Sequence, residues 1–304
     1  MPHDHHHHHH PEVDLAGDRR VAAAVGVNIL LTVVQIVAGL FSGSLALIAD
    51  AVHNLSDALS LVIAFAARRI ARRPADADMT FGYGRAEVVA ALINYVTLIV
   101  IALWLAVEGV GRFLNPVEVE GWTVVIVAGV ALVVDLVTAA LILRLSHDSM
   151  NIRAAFLHNV ADAMGSVAVV VGGTLILLYG WWIVDPIITL LISGYILWHS
   201  WQGIGPVIRV LMLGSPDSPR IDEVAHTLCS ADGVADVHAL HLWRVQEHRV
   251  ALQAHVVIED TAGMDVVRAD LKALLEDRFG ITHSSLELEG PGAACHDRAL
   301  IGSG

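Results

Sequence analysis

The sequence predicts a polytopic α-helical membrane domain of six transmembrane helices, followed by a small α+β domain. Two observations carry this. Apolar residues make up 55% of the 304 positions and charged residues only 16%, and the mean hydropathy of +0.63 lies outside the range of water-soluble chains. The apolar content is also uneven. Residues 21–213 are dominated by long apolar runs, whereas 214–290 mix charge and apolar residues as a folded soluble domain does.

Six apolar runs read as helical spans: 20–41, 45–68, 86–112, 122–145, 152–179 and 181–204. Each is long enough to cross a hydrocarbon core of about 30 Å at about 1.5 Å per residue. The breaks carry turn chemistry at Ser42-Gly43-Ser44, at Asn115-Pro116 and at Gly180. Tyr179, Trp181 and Trp182 form an aromatic anchor at one membrane surface. Arg19 and Arg20 precede the first span, and Arg68, Arg69, Arg72, Arg73 and Arg85 separate the second and third. Arg144 and Arg153 flank the loop after the fourth, and Arg209 follows the sixth; the opposite side offers Arg112 and little else. The positive-inside rule therefore places both termini in the cytoplasm. A cell (plasma or inner) membrane suits the short loops.

Within spans two and five stand two pairs with matched spacing, His53-x-x-x-Asp57 and His158-x-x-x-Asp162. An i,i+4 spacing sets both side chains on one helix face. Ionisable groups at membrane depth are costly, so their default reading is functional. Span two runs inward, putting Asp57 about 17 Å above Arg68; span five runs outward, putting His158 about 15 Å above Asp148. His53 thus comes level with Asp162, and Asp57 with His158. Two imidazoles and two carboxylates at one depth are the donor set of a tetrahedral zinc-type site. Beside them stand Ala49, Asp50, Ser56 and Ser60 on one span and Ala161, Gly165, Ser166 and Gly172 on the other, and the small residues among these allow the helices to approach. Asp50, one turn outward of His53, is an accessory candidate for passing metal or protons. Asn28, Gln35, Asn94, Glu108 and Asp135 either line an aqueous cavity or bridge helices.

Residues 214–290 read as helix, strand, strand, helix, strand. Ser218 is placed as an N-cap with Pro219 at the first helical position and Asp222 and Glu223 in the first turn. Val250, Leu252, Ala254, Val256 and Ile258 alternate as one buried strand face, and Val267, Leu271, Leu274, Leu275 and Phe279 form a helical stripe ending at Gly280. His241 is read as structural, beside Trp243. Asp76 and Asp78 in the loop after span two read as a solvated charge pair.

The ends carry less. The run His5 to His10 is either a native metal-collecting tail or an expression tag. The domains expected are thus a histidine-rich tail over 1–19, a membrane domain over 20–213, a cytoplasmic domain over 214–290 and a tail over 291–304. Cys229 and Cys295 are the two cysteines; their separation points to no disulfide framework. No cleavable signal peptide is expected. The net charge of −13 argues against a nucleic-acid partner.

Four segments, taken in order, resemble the cation diffusion facilitator family of divalent-metal/proton antiporters, its zinc-transporting members in particular. They are Ser42-Gly-Ser-Leu-Ala-Leu-Ile-Ala-Asp-Ala-Val-His-Asn-Leu-Ser-Asp57, Phe81-Gly-Tyr-Gly-Arg-Ala-Glu87, Asn151-Ile-Arg-Ala-Ala-Phe-Leu-His-Asn-Val-Ala-Asp162 and Asp185-Pro-Ile-Ile-Thr-Leu-Leu-Ile192. The resemblance implies a homodimer and a ferredoxin-like arrangement of the cytoplasmic domain. It also implies that His53, Asp57, His158 and Asp162 bind the transported metal. It places His238, His255 and His283 at a regulatory zinc site in the cytoplasmic domain; the family's fuller versions add a carboxylate near the third histidine, where Ser285 stands here. Cys295 and His296 are weak additional donors.

Two imidazoles and two carboxylates suit Zn2+ without strain, while manganese and iron(II) prefer more oxygen. Metal needs neutral imidazole and ionised carboxylate, so protons and metal compete at such a site. The expected function is efflux of cytoplasmic metal in exchange for external protons by alternating access, within a lipid bilayer. A membrane-bound metal sensor signalling through the cytoplasmic domain is the alternative, though sensing needs no ligands at midplane depth. An enzyme is not expected: no His-Glu-x-x-His occurs, and four ligands leave no open coordination position.

Overall fold

The protein is described by a computed structural model covering residues 15–145, 150–246, 249–291 and 299–301, with backbone alone for 15–25, 57, 61, 141–145 and 150–159. Six long helices come first: α1 (Leu15–Ser42), α2 (Leu45–Ala71), α3 (Ala86–Leu114), α4 (Gly121–Leu145), α5 (Met150–Tyr179) and α6 (Val184–Leu211). Then follow α7 (Ile221–Cys229), β1 (Val234–Gln246), β2 (Arg249–Ile258), α8 (Met264–Phe279) and β3 (His283–Glu289).

Among the described residues four segments are long and apolar enough to cross a membrane, within α2, α3, α4 and α5. The apolar stretch of α1 that is described, Gly26–Ser42, is shorter, and α6 is diluted by Asp185, Ser193, His199, Ser200 and Gln202. Helices α1 to α5 extend a few residues past the expected spans, and α6 begins three residues later and ends seven later than 181–204. Hydropathy marks where an apolar run ends, not where backbone hydrogen bonding ends. At the start of α6, Gly180 (φ 65°) stops α5, and the Val184 N–H bonds Trp181 O at 3.1 Å in an intervening turn. At its end Gly203, Gly205 and Pro206 are all held inside the helix, which runs on to Leu211.

The chain divides into two compact units, residues 1–61 with 97–199 and residues 62–96 with 200–304. In the first, Ala46 and Leu47 of α2, Val124 and Ala128 of α4, Val169 and Ile176 of α5 and Ile188 of α6 form one buried cluster. Gly173 makes the α4–α5 approach possible: a Cβ there would stand 2.9 Å from the side chains of both Val124 and Val125. Arg112 of α3 donates to Gly43 O at 2.5 Å and to Glu108 at 3.1 Å, fixing the turn between α1 and α2.

In the second unit the strands are ordered β1-β2-β3, with β1–β2 antiparallel and β2–β3 parallel. Leu252, Ala254, Val256 and Ile258 of β2 are buried against Leu271 and Leu275 of α8 and Val224 and Leu228 of α7. Gly280, in the left-handed region at φ 67°, caps α8. Strand β1 carries a bulge between His238 and His241, since three residues advance against two on β2. At the bulge Ala239 takes φ 47°. The N–H groups of Ala239 and Leu240 donate to Ala299 O at 3.1 Å and Leu300 O at 2.8 Å. Arg85 donates to the carbonyls of Val245 and Arg244 at 3.1 and 3.4 Å. The start of α7 corrects the sequence reading: Arg220, not Ser218, is the N-cap, with no side-chain cap bond. Pro219 therefore precedes the helix, although Asp222 and Glu223 keep the first turn acidic as expected.

Candidate metal centres

Eight residues after α2 begins, His53 reaches α5. Its Nε2 lies 3.2 Å from Asp162 Oδ1, with the two side chains 14% and 10% exposed. The ring of Tyr195 on α6 stands edge-on to His53, with centroids 5.9 Å apart. His199, one turn further along α6, stacks on Tyr195 at 6.2 Å. Asp57 and His158 occupy α2 and α5 one turn from His53 and Asp162; their side chains lie outside the described residues. The described half of the constellation is thus one imidazole and one carboxylate from two helices, held at hydrogen-bonding distance inside the bundle.

Asp50 faces a different set of partners. Its Oδ2 accepts from Gln35 Nε2 of α1 at 2.8 Å and lies 3.2 Å from Ser166 Oγ of α5. Ser166 Oγ is also 3.0 Å from Asp135 Oδ2 of α4. Asp50 is 3% exposed and Gln35 and Ser166 are fully buried. Gly165 leaves room here, since a Cβ on it would sit 3.2 Å from Asp50 Oδ1.

In the second unit His238 and His255 are direct cross-strand partners on β1 and β2, with ring centroids 5.3 Å apart. Glu289 of β3 completes the group: its Oε1 lies 2.7 Å from His255 Nδ1 and 3.5 Å from His238 Nε2. Glu287, paired with His255 across the parallel register, approaches His255 Nε2 at 3.3 Å from a more exposed position. His238 is fully buried, yet neither ring nitrogen has a hydrogen-bond partner. A buried imidazole without partners is costly, and two nitrogens with a carboxylate oxygen within 4.8 Å of one another can share a metal ion. The donor set fits zinc, which takes such three-residue sites with one further position open.

His283 stands apart from this group. It opens β3 opposite Ala251 and meets the ring of Phe81 edge-on at 5.6 Å. His241 is exposed and pairs with Gln253. Cys295, His296 and the His5–His10 run lie outside the described residues. Asp76 spends its oxygens on its own loop: Oδ1 accepts from the N–H groups of Asp78 and Met79 at 3.0 and 2.8 Å, and Oδ2 from Tyr83 Oη at 2.8 Å. The Tyr83 hydroxyl, ahead of the Met79 N–H, holds the Asp76 carboxyl below its ordinary range. Sequence reasoning missed Glu289, whose signal was its alternation with Glu287 on a strand ending beside His255, and the joining of Asp50 and Asp135 through Ser166.

The model of the cation efflux transmembrane domain matches residues 21–212, and that of the cation efflux protein cytoplasmic domain matches residues 216–290. Similar proteins include the metal cation efflux system protein CzcD of Cupriavidus metallidurans, 33% identical over 94% of this chain and 89% of that protein. The cadmium, cobalt and zinc/H(+)-K(+) antiporter of Bacillus subtilis is 32% identical over 88% of each chain. The zinc transporter ZitB of Escherichia coli is 33% identical over 97% of this chain and 95% of its own. With both domain models matched in order along nearly its whole length, this chain is a multi-pass membrane protein of the cation efflux family.

Proposed function

We propose that this chain is a homodimeric efflux transporter that exchanges cytoplasmic divalent cations, zinc first, for external protons by alternating access. The observation that carries the reading is the 3.2 Å approach of His53 Nε2 to Asp162 Oδ1, which joins α2 and α5 at low exposure. The helical spacing adds Asp57 and His158 one turn away on the same two faces, so that His53, Asp57, His158 and Asp162 hold the metal in transit. Nitrogen and oxygen donors in equal number suit zinc, as do cobalt and cadmium to a lesser degree. Relatives named for zinc, cadmium and cobalt transport, and for exchange against protons, agree with that donor chemistry.

Each ligand binds metal only when it has shed its proton, so metal and protons exclude each other at one site. A cytoplasm poor in protons relative to the outside loads metal on one face and ejects it on the other. The membrane is a cell (plasma or inner) membrane, with both termini and the domain at 214–290 in the cytoplasm, as the arginine distribution favours. That domain serves dimerisation and holds a regulatory metal ion at His238, His255 and Glu289.

Zinc flux into proteoliposomes under an imposed proton gradient tests the reading. Gradient-driven zinc movement is expected for the native chain and its loss in Asp162→Ala. Stoichiometric zinc binding by the native chain without any flux would replace the transporter with a membrane-bound sensor.

A further inference from the structure

Outside the four candidate ligands, the bundle of the first unit contains a polar network built from four helices. Gln35 of α1, Asp50 of α2, Asp135 of α4 and Ser166 of α5 are 0%, 3%, 8% and 0% exposed. Among the described residues no arginine or lysine pairs with either carboxylate. Two like charges in a medium of low dielectric, without a cation, are strongly disfavoured.

Counting hydrogens gives the same answer from geometry alone. Ser166 Oγ lies 3.2 Å from Asp50 Oδ2 and 3.0 Å from Asp135 Oδ2. A serine hydroxyl has one hydrogen to donate. If both carboxyls were ionised, one of the two contacts would set oxygen against oxygen with no hydrogen between them. Both become hydrogen bonds when one carboxyl carries a proton and donates it to Ser166 Oγ, while Ser166 donates to the other. The amide of Gln35 underlines the shortage: its Nε2 is committed to Asp50, and its buried Oε1 has no donor. The network is short of hydrogens.

We propose that Asp50, Ser166 and Asp135 form a proton-binding site, separate from the metal ligands, that holds one shared proton and releases it when a divalent cation arrives beside His53 and Asp162. This deepens the antiporter reading and rests on it. The groups that act on the pair across space are His53, felt by both carboxyls, and Asp162, felt by Asp135; α1 contributes only the neutral amide of Gln35. A bound dication supplies the positive charge that lets both carboxyls ionise. The proton then leaves to the aqueous phase, and Ser166 keeps one of its two hydrogen bonds. When the metal departs, the second negative charge is again uncompensated and a proton returns. No other bond forms or breaks. Metal and proton thus alternate across two adjacent sites as well as compete within one.

The test counts protons. Zinc is added to the purified full-length chain in weak buffer, and the protons released per zinc are measured alongside the infrared band of protonated carboxyl groups. The native chain is expected to lose a protonated-carboxyl band on binding zinc. Asp135→Asn, nearly the same in shape, should bind zinc with unchanged stoichiometry, lack that band and release about one proton fewer per chain. Ser166→Ala, a milder change, should shift the band in the metal-free protein, because the hydrogen-bond partner of the acid proton is gone. An unchanged proton count and unchanged band in Asp135→Asn would overturn the proposal. So would a native band that vanishes on adding potassium at fixed pH, which would assign the site to a monovalent cation. Asp162→Ala separates the two readings: if zinc stoichiometry does not fall in that variant, the transport-site assignment fails, whatever the proton count of Asp135→Asn.

Discussion

Asp185, in the first turn of α6, holds the first turn of α2 in place: it accepts the Leu45 N–H at 2.8 Å. The same carboxylate accepts from Ser44 Oγ at 2.5 Å and the Ala46 N–H at 3.3 Å. A helix N-terminus with its free N–H groups pointing at an anion is a favourable pairing of charge and dipole. Here the anion comes from another helix, so the start of α2 is fixed by α6 as well as by its own Ser44, whose Oγ accepts the Leu47 N–H at 3.1 Å. His53 lies about 12 Å further along α2.

Asp185→Ala should therefore cost about 2 kcal/mol of stability, the scale of a lost cap whose donors stay buried. Thermal unfolding in detergent is the measurement, and the apparent midpoint is expected to fall. An unchanged midpoint would mean that water replaces the carboxylate.

Gly173→Val is expected to be worse tolerated than Gly194→Val. At 173 a Cβ meets Val124 and Val125 at 2.9 Å, whereas at 194 it meets nothing within 4 Å. Overpacking of this kind costs roughly 1–3 kcal/mol. Yield and monodispersity of the two variants, expressed in parallel, would separate them.

His53→Asp makes the donor set richer in oxygen, and the preference for zinc over manganese should shrink. Competition between the two ions in the flux assay reads this directly. An unaltered ratio would argue that selectivity is set elsewhere than at the imidazole.

The cytoplasmic cluster makes a separate forecast. In an Asp162→Ala background, His238→Ala or Glu289→Ala should remove about one zinc per chain, while His283→Ala should not. Binding there should also weaken as the solution is acidified, because protons compete with the metal for its ligands. Zinc titration at several pH values checks both statements.

Protons also set the order of the loop after α2. Asp76 is held below its ordinary value of 3.8 chiefly by the Tyr83 hydroxyl. A carboxyl with a depressed folded value stabilises its surroundings above the unfolded value and loses that effect as pH falls through the folded one. Hydrogen-exchange protection of the Asp78 and Met79 amides should persist to lower pH in the native chain than in Tyr83→Phe. Equal pH profiles would remove the hydroxyl from the account.

The readability of these features follows from how local each one is. The facing of His53 toward Asp162 comes from two helical periods and a direction of travel, all contained in short stretches of sequence. The buried face of β2 is legible for the same reason, because alternation at Leu252, Ala254, Val256 and Ile258 needs no partner to be seen. Glu289 is different. Its place beside His255 depends on β3 running parallel to β2 in one register, which no residue within β3 announces. Asp135 was visible only as a scattered polar position and Ser166 only as a small residue on a helix face, since their meeting requires α4 and α5 to pack at one height. The start of α7 was misplaced because Ser-Pro offers a strong local cap signal that the backbone here does not use.

The bulge in β1 has a consequence for how the molecule meets others. Strand β1 is an outer strand of its sheet, and open edges of that kind invite strands from other chains. At Ala239 and Leu240 the outward N–H groups are already taken by residues 299 and 300 of the same chain. Residues 299 and 300 therefore act as a guard against unwanted strand pairing, covering the edge at the bulge one strand away from His255. Cutting the chain after residue 290 would unseal it, and would leave the fold exposed to self-association at the place where His238 is buried.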